Sequence, residues 1–418
     1  MIILRLALQS LFNRRLTACL TILSIALGVG LLLGVEKVRT GARQSFANTI
    51  SGTDLIVGAR GSGLELLLYS VFRIGNGANN FSWKTYQEIA ARPEIAWIAP
   101  ISLGDAHRGF RVMGVDQAYF EHYRYRAGNG LELKSGALSD DLFDTVLGSD
   151  VAEALGYKLN QSIVVSHGIG NAAFQSHSDR PFRVAGILKK TGTPVDRTVH
   201  VSLAAIEAIH IDWQPGISSA KSASADDLRK MQFQPGNVTA AFVGLKSKLN
   251  VFTIQRWINE YATEPLTAVM PGVALQELWS TVGLFENAML IVSAMVVGVA
   301  LAGMVTAIFS GLNERRREMA ILRSVGASAR HIAGLLIVEA GLLAAAGAGI
   351  GLVLSQTGLR LAQSWVDHAF GLSLDVSAPG ATELAQIAVV VGAGVLAGLL
   401  PALRAYKASL ADGLMVKT

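Results

Sequence analysis

The sequence is short of charge and almost without cysteine. Only 16% of its 418 residues are Asp, Glu, Lys or Arg, against about a quarter in a soluble globular domain. Its one cysteine, Cys19, excludes an intramolecular disulfide and a cysteine-based zinc site. No G-x-x-x-x-G-K-[ST] stretch occurs, which excludes a P-loop cradle for nucleotide phosphates; the Gly-rich stretch 58–63 lacks the lysine. No G-x-S-x-G elbow occurs to expose Ser166 or Ser176 as a hydrolase nucleophile. A catalytic site within this chain is therefore not expected.

Long apolar runs take the place of the missing charge. Mean hydropathy is +0.41. Four stretches reach the roughly 20 residues needed to cross a bilayer: 16–36, 284–312, 332–356 and 384–403. A buried core helix competes for any one run, but four nearly uncharged runs of this length argue against it. The first run follows Arg5, Arg14 and Arg15, as a signal peptide would. It is longer than a signal core of roughly 7–15 residues and ends at Glu36-Lys37 without an A-x-A site, so it reads as a retained anchor.

Lys and Arg collect on the cytoplasmic side of membrane proteins. Here they lie before the first span (Arg5, Arg14, Arg15), between the second and third (Arg315, Arg316, Arg317, Arg323, Arg330) and after the fourth (Arg404, Lys407, Lys417). The 357–383 segment has only Arg360. Both ends (1–15 and 404–418) and 313–331 are expected inside; 37–283 and the 357–383 loop are expected outside. The net charge of +5 then needs no nucleic-acid partner. Gly347 and Gly351, and Gly394 and Gly398, form G-x-x-x-G pairs that let helices approach closely, within one chain or between two.

The predicted fold is a four-helix membrane protein with a large α+β domain of two subdomains inserted between helices one and two. Strand and helix periodicities place a membrane-proximal α+β unit at 52–125 plus 238–275, with a β-rich block, 130–235, inserted into it. The first span is expected to continue outward as helix to about residue 50, and a helix from about 273 to lead into the second. Residues 95–115 read as two strands around a Gly104-Asp105 turn.

The stretch after the second span, Asn313-Glu314-Arg315-Arg316-Arg317-Glu318-Met319-Ala320-Ile321-Leu322-Arg323-Ser324-Val325-Gly326-Ala327, reads as a short amphipathic helix. Composition alone would make it a basic anchor at the membrane surface. The stretch also resembles, nearly letter for letter, the N-E-R-x-x-E-x-A-x-L-R-x-x-G-A signature of the FtsX-like/MacB-like permease family. The opening residues 4–15, Gly114-Val115-Asp116-Gln117-Ala118-Tyr119-Phe120, the Glu339-Ala-Gly-Leu-Leu run and Leu400-Pro-Ala-Leu-Arg-Ala405 agree with that family.

The resemblance implies the permease subunit of a mechanotransmission ABC system, paired with a second permease copy or a sister permease and driven by a separate cytoplasmic ATPase. No fused ATPase domain and no cofactor are expected in this chain; ATP and Mg would be held by the partner. The coupling set would be Asn313, Glu314, Arg315, Arg316, Arg317, Glu318, Ala320, Leu322, Arg323, Gly326 and Ala327. The location implied is the bacterial inner membrane, and the work would be done on a periplasmic substrate or accessory protein. The alternative is a membrane scaffold that regulates a periplasmic enzyme such as a cell-wall hydrolase.

Two further groups stand out. Glu339 lies inside the third span, where an acid is functional by default; a structural polar contact is preferred over a proton relay. His167, His177 and Asp179 could together ligate a metal, but a polar loop with scattered histidines is preferred.

Overall fold

The computed structural model describes residues 2–75, 79–126, 128–138, 141–167, 175–176, 180–211, 213–214, 217–218, 225–314, 319, 321, 324–370 and 378–407. The chain divides into two compact units. One comprises Met1–Gly41, Gly283–Trp365 and Asp375–Thr418; the other comprises Ala42–Val282 and Val366–Leu374.

The first unit is helical. A short helix, α1 (Ile2–Asn13), precedes α2 (Arg15–Thr49), α3 (Pro271–Glu314), α4 (Ala329–Phe370) and α5 (Ala381–Lys407). Among the described residues, these last four are long and apolar enough to cross a membrane. Their inward faces recur at helical spacing: Ile25, Val29 and Leu33 on α2, Val297, Ala300, Met304 and Ile308 on α3, and Leu336, Ala340 and Leu343 on α4 pack into one core. The opposite faces are also apolar. Leu20, Leu23, Leu27, Val299, Val389 and Leu396 are exposed, as helices facing hydrocarbon require.

Small residues set the helix spacing. A Cβ at Gly347 would lie 2.7 Å from Ile25 Cβ, and one at Gly351 would lie 2.8 Å from the Ala26 carbonyl oxygen and from Val29 Cβ, so α4 packs directly on α2. A Cβ at Gly394 or Gly398 would lie 2.5 Å from Ala344 Cβ or Ala340 Cβ, which brings α5 onto α4. All four glycines thus serve contacts within one chain. Lys37 and Glu383 form an ion pair of 3.2 Å between α2 and the start of α5, and Glu383 also accepts from the Gly380 amide at 2.6 Å.

One boundary needs correcting. The loop expected over 357–383 is helical through Phe370. After Gly358 the segment holds no helix breaker up to that point, and Leu359 is buried, so nothing local ends the helix at the edge of the apolar run.

Among the described residues the second unit is built on a mixed sheet of twelve strands, nine of which follow one another along its main path. They are β1 (Leu55–Ala59), β2 (Ile95–His107), β3 (Phe110–Val115), β4 (Leu133–Gly136), β5 (Asp144–Leu147), β6 (Phe182–Leu188), β7 (Thr198–Ser202), β8 (Ala240–Leu245) and β9 (Leu266–Val269). Their spatial order is β9-β1-β8-β2-β3-β7-β5-β6-β4. Strands from the flanking pieces occupy one half and those from the 130–235 block the other. The halves meet where β3 pairs in parallel with β7, Met113 opposite His200. The sheet is therefore continuous across the insertion.

Both faces of the first half are covered, which accounts for the unbroken apolar runs of β1 and β8. Leu55, Val57, Ala241 and Val243 face Ile254 and Ile258 of the helix Val251–Asn259. Ile56, Ala240 and Phe242 face the other way, onto Tyr119 and Tyr123. In the second half, Phe143, Phe182, Val184 and Val199 form a separate core with Val151 and Ile209.

The Gly104-Asp105 turn expected in 95–115 is not a turn. β2 runs through it with a register shift between Leu103 and Ala106, and the chain reverses at Arg108 (φ 48°) and Gly109 (φ 90°). Two successive positive φ values suit the twist of a two-residue hairpin.

Residues 43–49 at the end of α2 and Trp279 at the start of α3 belong to this second unit and pack within it. Phe46 stacks on Phe72 (ring centroids 4.3 Å) and meets Trp279 edge-on at 5.4 Å. The Arg43 guanidinium sits 5.5 Å from the centroid of the Trp279 ring. The Tyr123 hydroxyl donates to the Thr49 carbonyl at 2.6 Å.

His200 in β7 is 1% exposed. Burial and the Arg73 charge lower its pKa from an ordinary 6.5 to about 3. Between those values the unfolded chain binds the proton and the folded chain does not. The stability this represents is complete above pH 6.5 and is lost as pH falls, by up to about 1.4 kcal/mol per unit. Asp116, which burial pushes up to about 6, opposes it between about 6 and the ordinary carboxylate value. The expected result is a smaller acid destabilisation in His200→Gln than in wild type between pH 6 and 4, read as amide exchange in β7 of the full chain. Equal slopes would refute the assignment.

Candidate functional site

The chain that joins α3 to α4 carries the sequence signature. α3 ends at Glu314, so Asn313 and Glu314 form its last turn. Arg315, Arg316, Arg317, Glu318, Ala320, Leu322 and Arg323 lie outside the described residues. Met319 packs against the bundle core. Ile321 is 52% exposed and Val325 is 83% exposed. Four residues apart, they lie on one side of a helical turn, which the Val325 amide closes by donating to the Ile321 carbonyl at 3.1 Å. The sequence reading placed Met319, Leu322 and Gly326 near one face and overlooked this exposed pair. The i,i+4 spacing of two β-branched residues in a charged stretch was the available signal.

Gly326 stops the turn. Its φ of 104° is open to glycine and strained for any residue with a Cβ. A Cβ there would meet nothing within 4 Å, so the constraint is the backbone and not space. Ala327 follows, and Ser328 stands just before α4. The Ser328 carbonyl accepts from the His331 amide at 2.9 Å, while the Ser328 amide and hydroxyl lie 3.2 and 2.9 Å from His331 Nδ1. Gly326→Ala is expected to lower stability by about 1 kcal/mol. The effect should be confined to this connection and visible as faster amide exchange at 324–331; unchanged exchange would contradict it.

Glu339 lies at the end of the bundle nearest this connection along α4. It is 6% exposed. The Ser10 hydroxyl of α1 lies 3.4 Å from both of its carboxylate oxygens and donates to them. Arg14, which follows α1, donates to the Gly311 carbonyl of α3 at 3.1 Å. Arg14, Thr17, Thr21 and Glu339 line a cleft of about 30 Å³, room for about one water. This polar node ties α1 to α3 and α4 near the segment that carries the signature.

The histidine cluster is only partly visible. His177 and Asp179 lie outside the described residues, and His167 pairs its backbone with Gln175. Among the described residues no group of three or more His, Cys, Asp or Glu could hold a metal ion. His210 Nε2 lies 3.8 Å from an oxygen of the buried Asp105.

Comparison with known proteins agrees with this layout. The MacB-like periplasmic core domain family matches residues 18–259, and the FtsX-like permease C-terminal family matches 290–410. The macrolide export ATP-binding/permease protein MacB of Neisseria gonorrhoeae (strain ATCC 700825 / FA 1090) is 21% identical over 436 aligned residues, covering 98% of this chain and 60% of that protein. MacB of Shewanella sp. (strain ANA-3) is 24% identical over 425, with the same coverage. The chain thus spans about 60% of the length of these relatives. Among solved structures, the periplasmic region of MacB from Actinobacillus actinomycetemcomitans aligns at 14% identity and a TM-score of 0.34, over 56% of this chain and 94% of that one. The extracellular domain of the Gram-positive transporter YknZ aligns at 11% and 0.31, over 52% and 99%. The core-domain match takes in more than half of the sequence, and the chain therefore belongs to the MacB-like family, as an ABC-type permease with an FtsX-like C-terminal region.

Proposed function

We propose that this chain is a transmembrane subunit that passes ATP-driven motion from a separate cytoplasmic ABC ATPase to its outer domain, for export, extraction or handling of a periplasmic substrate. The observation that carries this reading is the 313–331 connection, a basic segment that offers the exposed pair Ile321 and Val325 and is stopped by a left-handed glycine. A hydrophobic pair in a stretch of sequence rich in arginine suits a groove on a partner protein better than a free surface.

The long helices supply the means of transmission. α3 is unbroken over 44 residues, about 66 Å of helix, and α2 over 35. In this reading a displacement at the inner end of either helix is passed along the chain to its residues near Phe46 and Trp279. In this reading both termini and 313–331 are cytoplasmic, 37–283 is periplasmic, the membrane is the inner membrane, and ATP and Mg are bound by the ATPase. A second permease, identical or related, completes the assembly.

The test is capture of the full chain from its native membrane in mild detergent, with mass spectrometry of what accompanies it. Recovery of an ABC-type ATPase, together with an ATP-dependent change in amide exchange of the outer sheet, is expected. Failure of both while the spans remain folded would leave a membrane scaffold independent of ATP.

A further inference from the structure

The last turn of α2 ends inside the outer domain. Thr49 is 0% exposed, so the terminal carbonyls that find no amide within the helix are kept from water and need partners in the protein. One short segment, Tyr123–Arg126, meets the end of the helix. The Tyr123 hydroxyl donates to the Thr49 carbonyl at 2.6 Å, and the Arg126 amide donates to the Asn48 carbonyl at 2.8 Å. Just past the helix, the Ser51 amide donates to the Arg124 carbonyl at 2.9 Å, in an antiparallel bridge.

The same segment is the way into the inserted block. Arg124 and Tyr125 pair with Gly130 and Asn129, and Gly128 (φ 107°) takes part in the reversal by donating its amide to the Tyr125 carbonyl at 3.1 Å. β4 then begins at Leu133. It is the last strand on the main path of the sheet and pairs there with β6. The Lys189 amide, just after β6, donates to the Glu132 carbonyl at 2.8 Å. The chain is thus held on the end of α2 at one side of the hairpin and on β6 at the other.

The sheet joins its two halves where β3 pairs with β7. β4 lies beyond β7, β5 and β6 from that seam. The segment after Tyr123 reaches β4 directly from the helix end, without passing through those strands. The Tyr123 hydroxyl is the one side-chain bond in this grip. The Tyr123 ring packs on Tyr119 (centroids 5.1 Å) and Phe242 (6.3 Å), a task that phenylalanine would serve as well. Burial of a hydroxyl is explained by the carbonyl it satisfies.

We infer that Tyr123–Arg126 is a strap that couples the end of α2 to the inserted block, with Tyr123 as its positioning residue. Under the transmitted-motion reading, on which the purpose of the strap rests, a shift of the α2 end draws on β4 and β6 as well as on β1, the strand that follows α2 in the chain. Its geometry stands apart from that reading.

The test uses the full chain in lipid nanodiscs, first without nucleotide. Tyr123→Phe is expected to speed amide exchange about tenfold at 47–51 and at 133–136, while β1 and β8 exchange as in wild type and show the domain to be folded. Two glycines inserted after Gly128 lengthen the strap, and in that background Tyr123→Phe should leave 133–136 unchanged. Wild-type exchange at 133–136 in Tyr123→Phe overturns the strap, because a purely local bond would move 47–51 alone. An undiminished response of 133–136 in the lengthened chain also overturns it and assigns the coupling to the sheet. With an ABC-type ATPase bound, ATP is expected to alter exchange at 133–136 in wild type and not in Tyr123→Phe; an equal response in both overturns the positioning role. Absence of any ATP response in the wild-type outer sheet would remove the transmitted-motion reading, and the nucleotide-free comparison would still decide the strap.

Discussion

Changing Arg316 and Arg317 together to Glu is expected to abolish recovery of an ABC-type ATPase with this chain, while membrane insertion and thermal unfolding stay as in wild type. The two residues lie in a segment with five arginines between the second and third spans, four to nine positions before the exposed Ile321 and Val325 in the sequence. Attraction by such a patch sets both the encounter rate and the register of a partner. Truncating one member of a buried charge pair costs about 2–5 kcal/mol, and reversal adds repulsion. The apparent affinity should fall by at least about a hundredfold. Reversal of Glu314 and Glu318 to Lys should uncouple in the same sense, leaving ATP without effect on outer-sheet exchange. Wild-type capture and coupling in both variants would remove the partner assignment from this segment. Loss of insertion would show it to be the basic membrane anchor that composition alone suggests.

Replacing Gly351 by Val should unfold the helical unit, whereas Gly349→Ala, one turn face away on the same helix, should not. At 351 the added carbon would lie 2.8 Å from a backbone oxygen and 3.1 Å from the Gly30 nitrogen. Backbone atoms of a packed helix cannot swing aside as a side chain can, so α2 and α4 must separate. Overpacking of this kind costs about 3 kcal/mol, a large part of the stability of a typical domain. At 349 a Cβ would meet nothing within 4 Å, and alanine gains in helix propensity. The measurement is the melting temperature of the detergent-solubilised chain by tryptophan fluorescence and size-exclusion recovery. Equal melting of the two variants would show that close approach of α2 and α4 is not what holds the bundle.

The same contrast shows what a linear reading can and cannot resolve. Gly347, Gly351, Gly394 and Gly398 were legible as close-approach positions. Whether they join helices of one chain or of two was not, because the motif records a small surface and not its occupant. Glu339 was legible as a residue needing a partner. Ser10, 329 positions away, was not legible as that partner, since nothing local selects it. In the hairpin, Gly104-Asp105 looked like the turn by composition, yet Asp105 is 3% exposed and the chain turns at Arg108-Gly109. Glycine marks freedom, and pairing with β8 and β3 decided which glycine used it.

By itself the sequence determined what depends on stretches of one period. These are the four spans, the helical extensions beyond the first and before the second, and the signature between α3 and α4. Each follows from the transfer of apolar residues out of water along a local repeat, which needs no knowledge of the rest of the chain. Only the tertiary structure decided the continuity of the sheet across the 130–235 insertion, the Lys37–Glu383 and Ser10–Glu339 contacts, the burial of His200 beside Tyr119, and the exposure of Ile321 and Val325. These depend on helix rotation and strand register, where a change of one residue turns a side chain to the opposite face. Those variables are set by packing among distant segments, not by any one of them.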